Sequence, residues 1–170
     1  GIEGEPTQIT KLEKSPSSFE WSPDSKYIAF IMHVSTEPAL KPIGVPKRPK
    51  NAIWTEAPKV IDEVDYSQDR VGFNERGFRQ LFTVPSDGGT ARQITFGEFD
   101  DISSGLSWSR NNKKIFFSSY QKPEAEYARG QSNIYSVDVN NLELKELTSR
   151  EGTESSPQVS PDGSRITFVG

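Results

Sequence analysis

Three segments of the chain spell one pattern: Phe19–Ile31 (FEWSPDSKYIAFI), Leu106–Ser118 (LSWSRNNKKIFFS) and Pro157–Val169 (PQVSPDGSRITFV). In register, Trp21, Trp108 and Val159 head the copies and Ser22, Ser109 and Ser160 come directly after them. Next stand Pro23-Asp24-Ser25, Arg110-Asn111-Asn112 and Pro161-Asp162-Gly163. Each copy closes on an apolar pair at alternate positions: Ile28 and Phe30, Ile115 and Phe117, Ile166 and Phe168. Proline presets the first turn position, and Asp, Asn or Gly tolerates the backbone conformations of the later ones, so each copy reads as strand, turn, strand. Residues two apart then face the same side of the second strand. Three hairpins in register make a repeat, and a repeat restricts the fold more than any single motif.

A second pattern interleaves with the first. Leu81–Thr95 (LFTVPSDGGTARQIT) matches Ile134–Thr148 (IYSVDVNNLELKELT), and Gly4–Thr10 parallels Gly89–Thr95. The unit is therefore four strands, two around Ser-Pro-Asp-Gly and two around Asp-Gly-Gly. Four-stranded units in tandem, with a period of about 40–50 residues, are the signature of β-propeller blades. Leu81 and Ile134 stand 53 residues apart, and Trp108 and Val159 51 apart. Trp21 and Trp108 are 87 apart, so the first unit carries about 34 extra residues.

The fold class expected is all-β: a partial propeller of about two and a half blades, from a fold that closes with four to eight. Residues 1–10 read as the last strand of a preceding blade and 11–95 as blade one, with an insertion at 35–77. Residues 96–148 read as blade two and 149–170 as the start of a third, so the chain reads as a piece of a longer protein. A hydrophobic content of 32% in 170 residues suits thin sheets stacked side by side better than one deep core.

The insertion is the one long segment without the repeat. Its first part holds Pro38, Pro42, Pro46, Pro49 and Pro58, a density that opposes helix and central strand alike. Its second part is acidic, with Asp62, Glu63, Asp65 and Asp69 among Val60, Ile61, Tyr66 and Phe73; Val60-Ile61 and Phe73 are placed to form a short extra hairpin. A patternless stretch of this length is functional or disordered as a rule. Binding residues concentrate on loops carried by a rigid scaffold. The candidate substrate-binding residues are accordingly Asp62, Glu63, Tyr66, Arg70 and Arg76, with Arg79 as a further carboxylate clamp. The acidic set Asp62, Glu63, Asp65 and Asp69 offers an acid–base pair or a seat for a charged amino terminus; the alternative is a solvated loop face.

Other residues read as structure. Trp21 and Trp108 recur at one repeat position, which points to packing between neighbouring sheets rather than to ligand stacking. Asp24, Asp87 and Asp162 stand singly in turns, without the alternating oxygen ligands of a calcium loop. His33, the one histidine, reads as a strand-end or surface residue. Gly105-Leu106-Ser107-Trp108-Ser109 lacks the second glycine of a nucleophile elbow and lies in a blade hairpin. No catalytic residue, metal site or cofactor is expected.

The net charge of −4 with mixed signs gives no basic stripe for nucleic acid. The absence of cysteine excludes disulfides and thiolate metal sites. The longest apolar run, Ile28–Met32, falls far short of the roughly 20 residues of a membrane span. No targeting segment is visible, and cytoplasm and periplasm both stay open.

Two segments together, Trp21–Phe30 and Gln80–Thr95, resemble the N-terminal propeller of the prolyl oligopeptidase family of serine peptidases. The nearest branch is that of acylaminoacyl-peptidases and dipeptidyl-aminopeptidase-like enzymes. Pro58–Asp62, with Tyr66, Arg70 and Gly72 after it, is similar to that branch's first-blade extension. The resemblance implies a propeller that caps a C-terminal α/β-hydrolase domain, filters peptides by size and helps shape an exopeptidase pocket. The partner implied is a peptide substrate held with that hydrolase domain, which lies outside this chain. The alternative is a non-enzymatic propeller of the TolB kind, serving as a protein-interaction platform. A third class, a lyase or glycosidase working in a propeller channel, needs clustered histidines or acids. Exposed blade edges invite self-association.

Overall fold

The computed structural model describes residues 5–37, 47, 49–52, 60–98, 102 and 105–170, which form strands and turns and no helix. Most of the proline-rich part of the insertion lies outside the described residues. The first sheet orders four antiparallel strands as β1 (Ser17–Trp21), β2 (Tyr27–Ser35), β5 (Gly77–Pro85) and β6 (Arg92–Gln93). The second orders β7 (Ser107–Trp108), β8 (Lys114–Ser119), β9 (Asn133–Asp138) and β10 (Leu144–Glu146). A third begins with the hairpin β11 (Ser155–Val159) and β12 (Ile166–Val169). A separate two-stranded ribbon, β3 (Ser67–Gln68) with β4 (Gly72–Phe73), stands in the insertion. This is the all-β architecture of a partial propeller.

The three repeat turns close by one mechanism. In the first, the Ser22 hydroxyl donates to Asp24 Oδ1 at 2.7 Å and accepts from the Tyr27 amide at 2.9 Å. In the third, Ser160 and Asp162 make the equivalent bonds, with the Arg165 amide donating to Ser160 Oγ at 3.0 Å. The middle copy, which has Arg-Asn-Asn, uses the amide oxygen of Asn111 in place of a carboxylate, 2.8 Å from Ser109 Oγ. The last turn residue is left-handed in all three: Ser25 at φ 60°, Asn112 at 59° and Gly163 at 74°. Glycine pays least for that conformation, and a short polar side chain tolerates it.

The second hairpins share a threonine device. The Leu81 amide donates to Thr95 Oγ1 at 2.9 Å, and the Ile134 amide to Thr148 Oγ1 at 2.8 Å. Each hydroxyl then donates onward, Thr95 to Gln80 Oε1 at 2.7 Å and Thr148 to Glu154 Oε2. Glu154 is 1% exposed. It thus does for sheet two what Gln80 does for sheet one, a role its position in an inter-blade link conceals.

Alternation decides which faces meet. Ala29, Ile31, Leu81 and Ile94 of the first sheet pack against Trp108, Ile115, Phe117, Tyr135 and Val137 of the second. Phe117 stacks on Tyr135 with centroids 6.1 Å apart, and Phe30 on Phe82 at 5.6 Å on the opposite face of sheet one. Among the described residues, Ile9 and Leu12, which precede β1, and Ala91, between β5 and β6, pack on that opposite face.

Residues 5–10 lie outside the strands, and the Gly89 amide donates to the Ile9 carbonyl at 3.0 Å. Two expectations need correction. Trp108 is buried between sheets, but Trp21 is 56% exposed, because no sheet among the described residues lies on its side. The extra hairpin pairs Ser67, not Val60-Ile61, with Phe73. Arg70 at φ 67° and Gly72 at 99° turn the chain within four residues, and so short a loop closes more readily than a longer one.

Candidate functional site

The insertion leaves and rejoins the first sheet on one rung. Ser35 ends β2, Gly77 begins β5, and the two residues pair directly. Gly77 is required there: at φ 143°, a Cβ would lie 2.1 Å from the Val34 carbonyl oxygen and 2.7 Å from His33 Nε2. His33 sits near the end of β2 opposite Arg79, its buried Nε2 without a hydrogen bond.

From that root the described part of the insertion is an arm, residues 60–76, tied down at several points. Glu75 accepts from Lys14 Nζ at 2.6 Å and from Ser35 Oγ at 2.6 Å. These partners, Lys14 foremost, hold its carboxyl below the usual glutamate range. Arg76 bonds Asp62, and its Nε lies 3.2 Å from Glu63 Oε1. The arm is also joined to the inner loop of the second sheet. Arg129 pairs with Asp65, and the Val64 amide donates to Glu126. Asn74 closes the ribbon, donating from Nδ2 to the Asp65 carbonyl at 2.7 Å.

The structure therefore splits the five sequence candidates into two groups. Asp62, Glu63 and Arg76 converge on one another as an ion triad, so the two carboxylates face a guanidinium already in place. Tyr66 and Arg70 lie outside the triad. Tyr66 is exposed against Phe73, with centroids 6.3 Å apart, and Arg70 occupies the tip of the β3–β4 turn. Val71, in the same turn, and Tyr127, in the inner loop of the second sheet, are exposed as well.

A second concavity, of about 570 Å³, opens where β1, β7 and β11 come together, with Glu20, Trp108, Arg110, Gln158 and Pro161 on its walls. Burial pushes the Glu20 carboxyl above its ordinary value, and Arg110 is fixed by donating to the Pro161 carbonyl. Sequence reasoning missed this cleft because each residue occupies a repeat position that reads as packing. No group of three or more His, Asp or Glu side chains is placed to hold a metal among the described residues.

Comparison with known proteins adds the family. No curated protein matches the chain. Among solved structures, TolB from Acinetobacter baumannii aligns with a TM-score of 0.53 at 18% identity, over 91% of this chain and 26% of that one. A protein described as TolB from Agrobacterium tumefaciens aligns at 0.46 and 22% identity, over 92% and 54% of the two chains. The apo form of the AtxE2 isopeptidase aligns at 0.47 and 14% identity, over 85% and 19%. The chain thus spans about a quarter of the first of these proteins, and that likeness is one of fold. The family described as the dipeptidyl peptidase IV (DPP IV) N-terminal region matches residues 48–168. That stretch takes in the arm, the second sheet and nearly all of the third hairpin, and the chain belongs to this family of peptidase propellers.

Proposed function

We propose that this chain is the substrate-gating propeller portion of a serine exopeptidase acting on short peptides, of the dipeptidyl or acylaminoacyl type. The acyl-enzyme chemistry comes from an α/β-hydrolase domain outside these 170 residues. The family match over residues 48–168 carries the reading. The arm supports it physically. A binding element on a propeller must be held still, because a loosely tethered one spends binding energy on its own ordering. Here Glu75, Arg76 and Asp65 fasten the arm at three places, and Tyr66 and Arg70 are the members left to meet a peptide.

The test uses the full-length protein with dipeptidyl and acyl-aminoacyl chromogenic substrates. Tyr66→Ala and Arg70→Ala raise KM with a smaller effect on kcat, the pattern of lost uniform binding. Unchanged KM in both variants removes the arm from the substrate path.

A second reading, a protein-interaction platform of the TolB kind, is favoured by the exposed Tyr66, Val71 and Phe73. Under it the full-length protein has no peptidase activity, and substitutions on this strip abolish capture of a protein partner.

A further inference from the structure

The first two sheets turn back at different heights. In each, the second and third strands pair antiparallel and are joined beyond their last rung, β2 to β5 through the insertion and β8 to β9 through residues 120–132. In repeat register the last rung of the second sheet, Ser119–Asn133, matches Met32–Gln80 of the first. The first sheet then continues through His33–Arg79, Val34–Phe78 and Ser35–Gly77, about 10 Å of further ladder at the rise of an extended strand. The arm is therefore rooted beyond the level at which the second sheet ends.

Two contacts bring the arm back onto the second sheet's loop. Asp65 pairs with Arg129, and the Val64 amide donates to the Glu126 carboxylate. Consecutive Cα atoms are about 3.8 Å apart, so residues flanking such contacts start from backbones held within side-chain reach of each other. On the arm the flanking residue is Tyr66; on the loop it is Tyr127, 75% exposed between the two anchoring positions. The remaining ties of the arm, Glu75 to Lys14 and Ser35 and Arg76 to Asp62 and Glu63, reach nothing in the second sheet. They fasten the root, while the segment around Tyr66 is held from the neighbouring sheet.

We propose that the peptide-binding element spans two sheets: Glu126 and Arg129 are positioning residues for the Tyr66 segment, and Tyr127 between them is a second aromatic contact for the peptide. This rests on the substrate-gating reading and extends it from the arm to the second sheet. Two phenol rings, one from each sheet, suit an apolar or aromatic peptide side chain, which meets the ring faces while the hydroxyls stay in water. The Asp65 and Arg129 side chains are 67% and 69% exposed, and so open a pair contributes modestly. The bond from the Val64 amide to an ionised acceptor is the stronger tie.

The full-length protein tests this with two readouts, hydrogen–deuterium exchange over residues 60–76 and KM for dipeptidyl and acyl-aminoacyl substrates. Arg129→Asp and Asp65→Arg each place like charges together. Each is expected to speed exchange in the arm and to raise KM about 3–5-fold with kcat little changed. The double variant restores the pair in reverse and returns both readouts towards wild type. Tyr127→Ala raises KM as Tyr66→Ala does and leaves exchange in the arm unchanged. Exchange that neither single reversal alters overturns the positioning role, as does a double variant no better than the singles. A wild-type KM in Tyr127→Ala overturns the contact. Exchange is read without turnover, so a wild-type protein that cleaves neither substrate class sinks the gating reading and the Tyr127 contact with it, while exchange still decides whether the second sheet holds the arm.

Discussion

The indole of Trp108 donates from Nε1 to the backbone carbonyl of Glu20, 3.2 Å away, across the boundary between the first and second sheets. The bond satisfies the one polar atom of a large apolar side chain that would otherwise be costly to bury. Removing it tests how much of the fold rests on inter-sheet packing. Trp108→Ala is expected to destabilise the chain by about 3–5 kcal/mol, through lost transfer energy and a cavity. Trp21→Ala, at the same repeat position but exposed, costs about 0.5 kcal/mol or less. Urea unfolding at low protein concentration compares the two. Equal costs would mean that the sheets do not stack as described.

Glu154 yields a prediction opposite to the usual one for a buried ionisable group. Its Oε2 accepts from Thr148, while Oε1, buried and without a hydrogen bond, lies 3.8 Å from Arg150. Gln80 already serves Thr95 as an amide, so Glu154→Gln keeps the acceptor and removes a buried charge. Its stability is expected within about 1 kcal/mol of wild type, or above it. Glu154→Ala removes the acceptor and costs about 2 kcal/mol. Thermal unfolding of both variants at one pH decides the matter; a large loss in Glu154→Gln would show that the charge itself is needed.

The repeat turns and the sheet-to-sheet face were legible in the sequence for a definite reason. Ser22-Pro23-Asp24 and its copies state their hydrogen bonds locally, within a few residues. What could not be read depends on neighbours distant in the chain. Trp21 and Trp108 are the same residue in the same local frame and differ only in whether a sheet lies beside them. Asp62, Glu63 and Arg76 were legible as charges, but their convergence into a triad comes from the path of the arm. Glu154 was missed because it sits in an inter-blade link, outside both repeats, and a threonine six residues before it gives no periodic signal.

The root of the arm depends on one backbone position. A Cβ at Gly77 would collide with the Val34 carbonyl oxygen at 2.1 Å and with the Ser35 Cα at 2.8 Å, both backbone atoms. Gly77→Ala is therefore expected to cost about 2 kcal/mol or more and to splay the Ser35–Gly77 rung. Limited proteolysis then cuts faster between residues 60 and 76 than in wild type. An unchanged digestion pattern would contradict the fixed root.

The turn aspartates are expected to make part of the stability depend on acid pH. The hydroxyl of Ser160 first, then the Ser164 amide and hydroxyl, lower the Asp162 carboxyl from the ordinary 3.8 to about 2. Asp24 is lowered by the equivalent bond from Ser22. A depressed carboxyl contributes stability that is complete above its unfolded value and is lost as pH falls through the folded one. For Asp162 that window runs from 3.8 down to about 2. Asp162→Asn is expected to flatten part of the acid side of the stability–pH profile while leaving its neutral side unchanged in slope. A variant profile parallel to wild type across the whole acid range would contradict the turn geometry.

Whether this propeller portion serves a serine exopeptidase is decided by active-site labelling of the full-length protein with a fluorophosphonate. One labelled serine is expected, outside residues 1–170, with the label blocked by dipeptidyl or acyl-aminoacyl substrate analogues. A folded full-length protein that takes up no label and cleaves neither substrate class would contradict it.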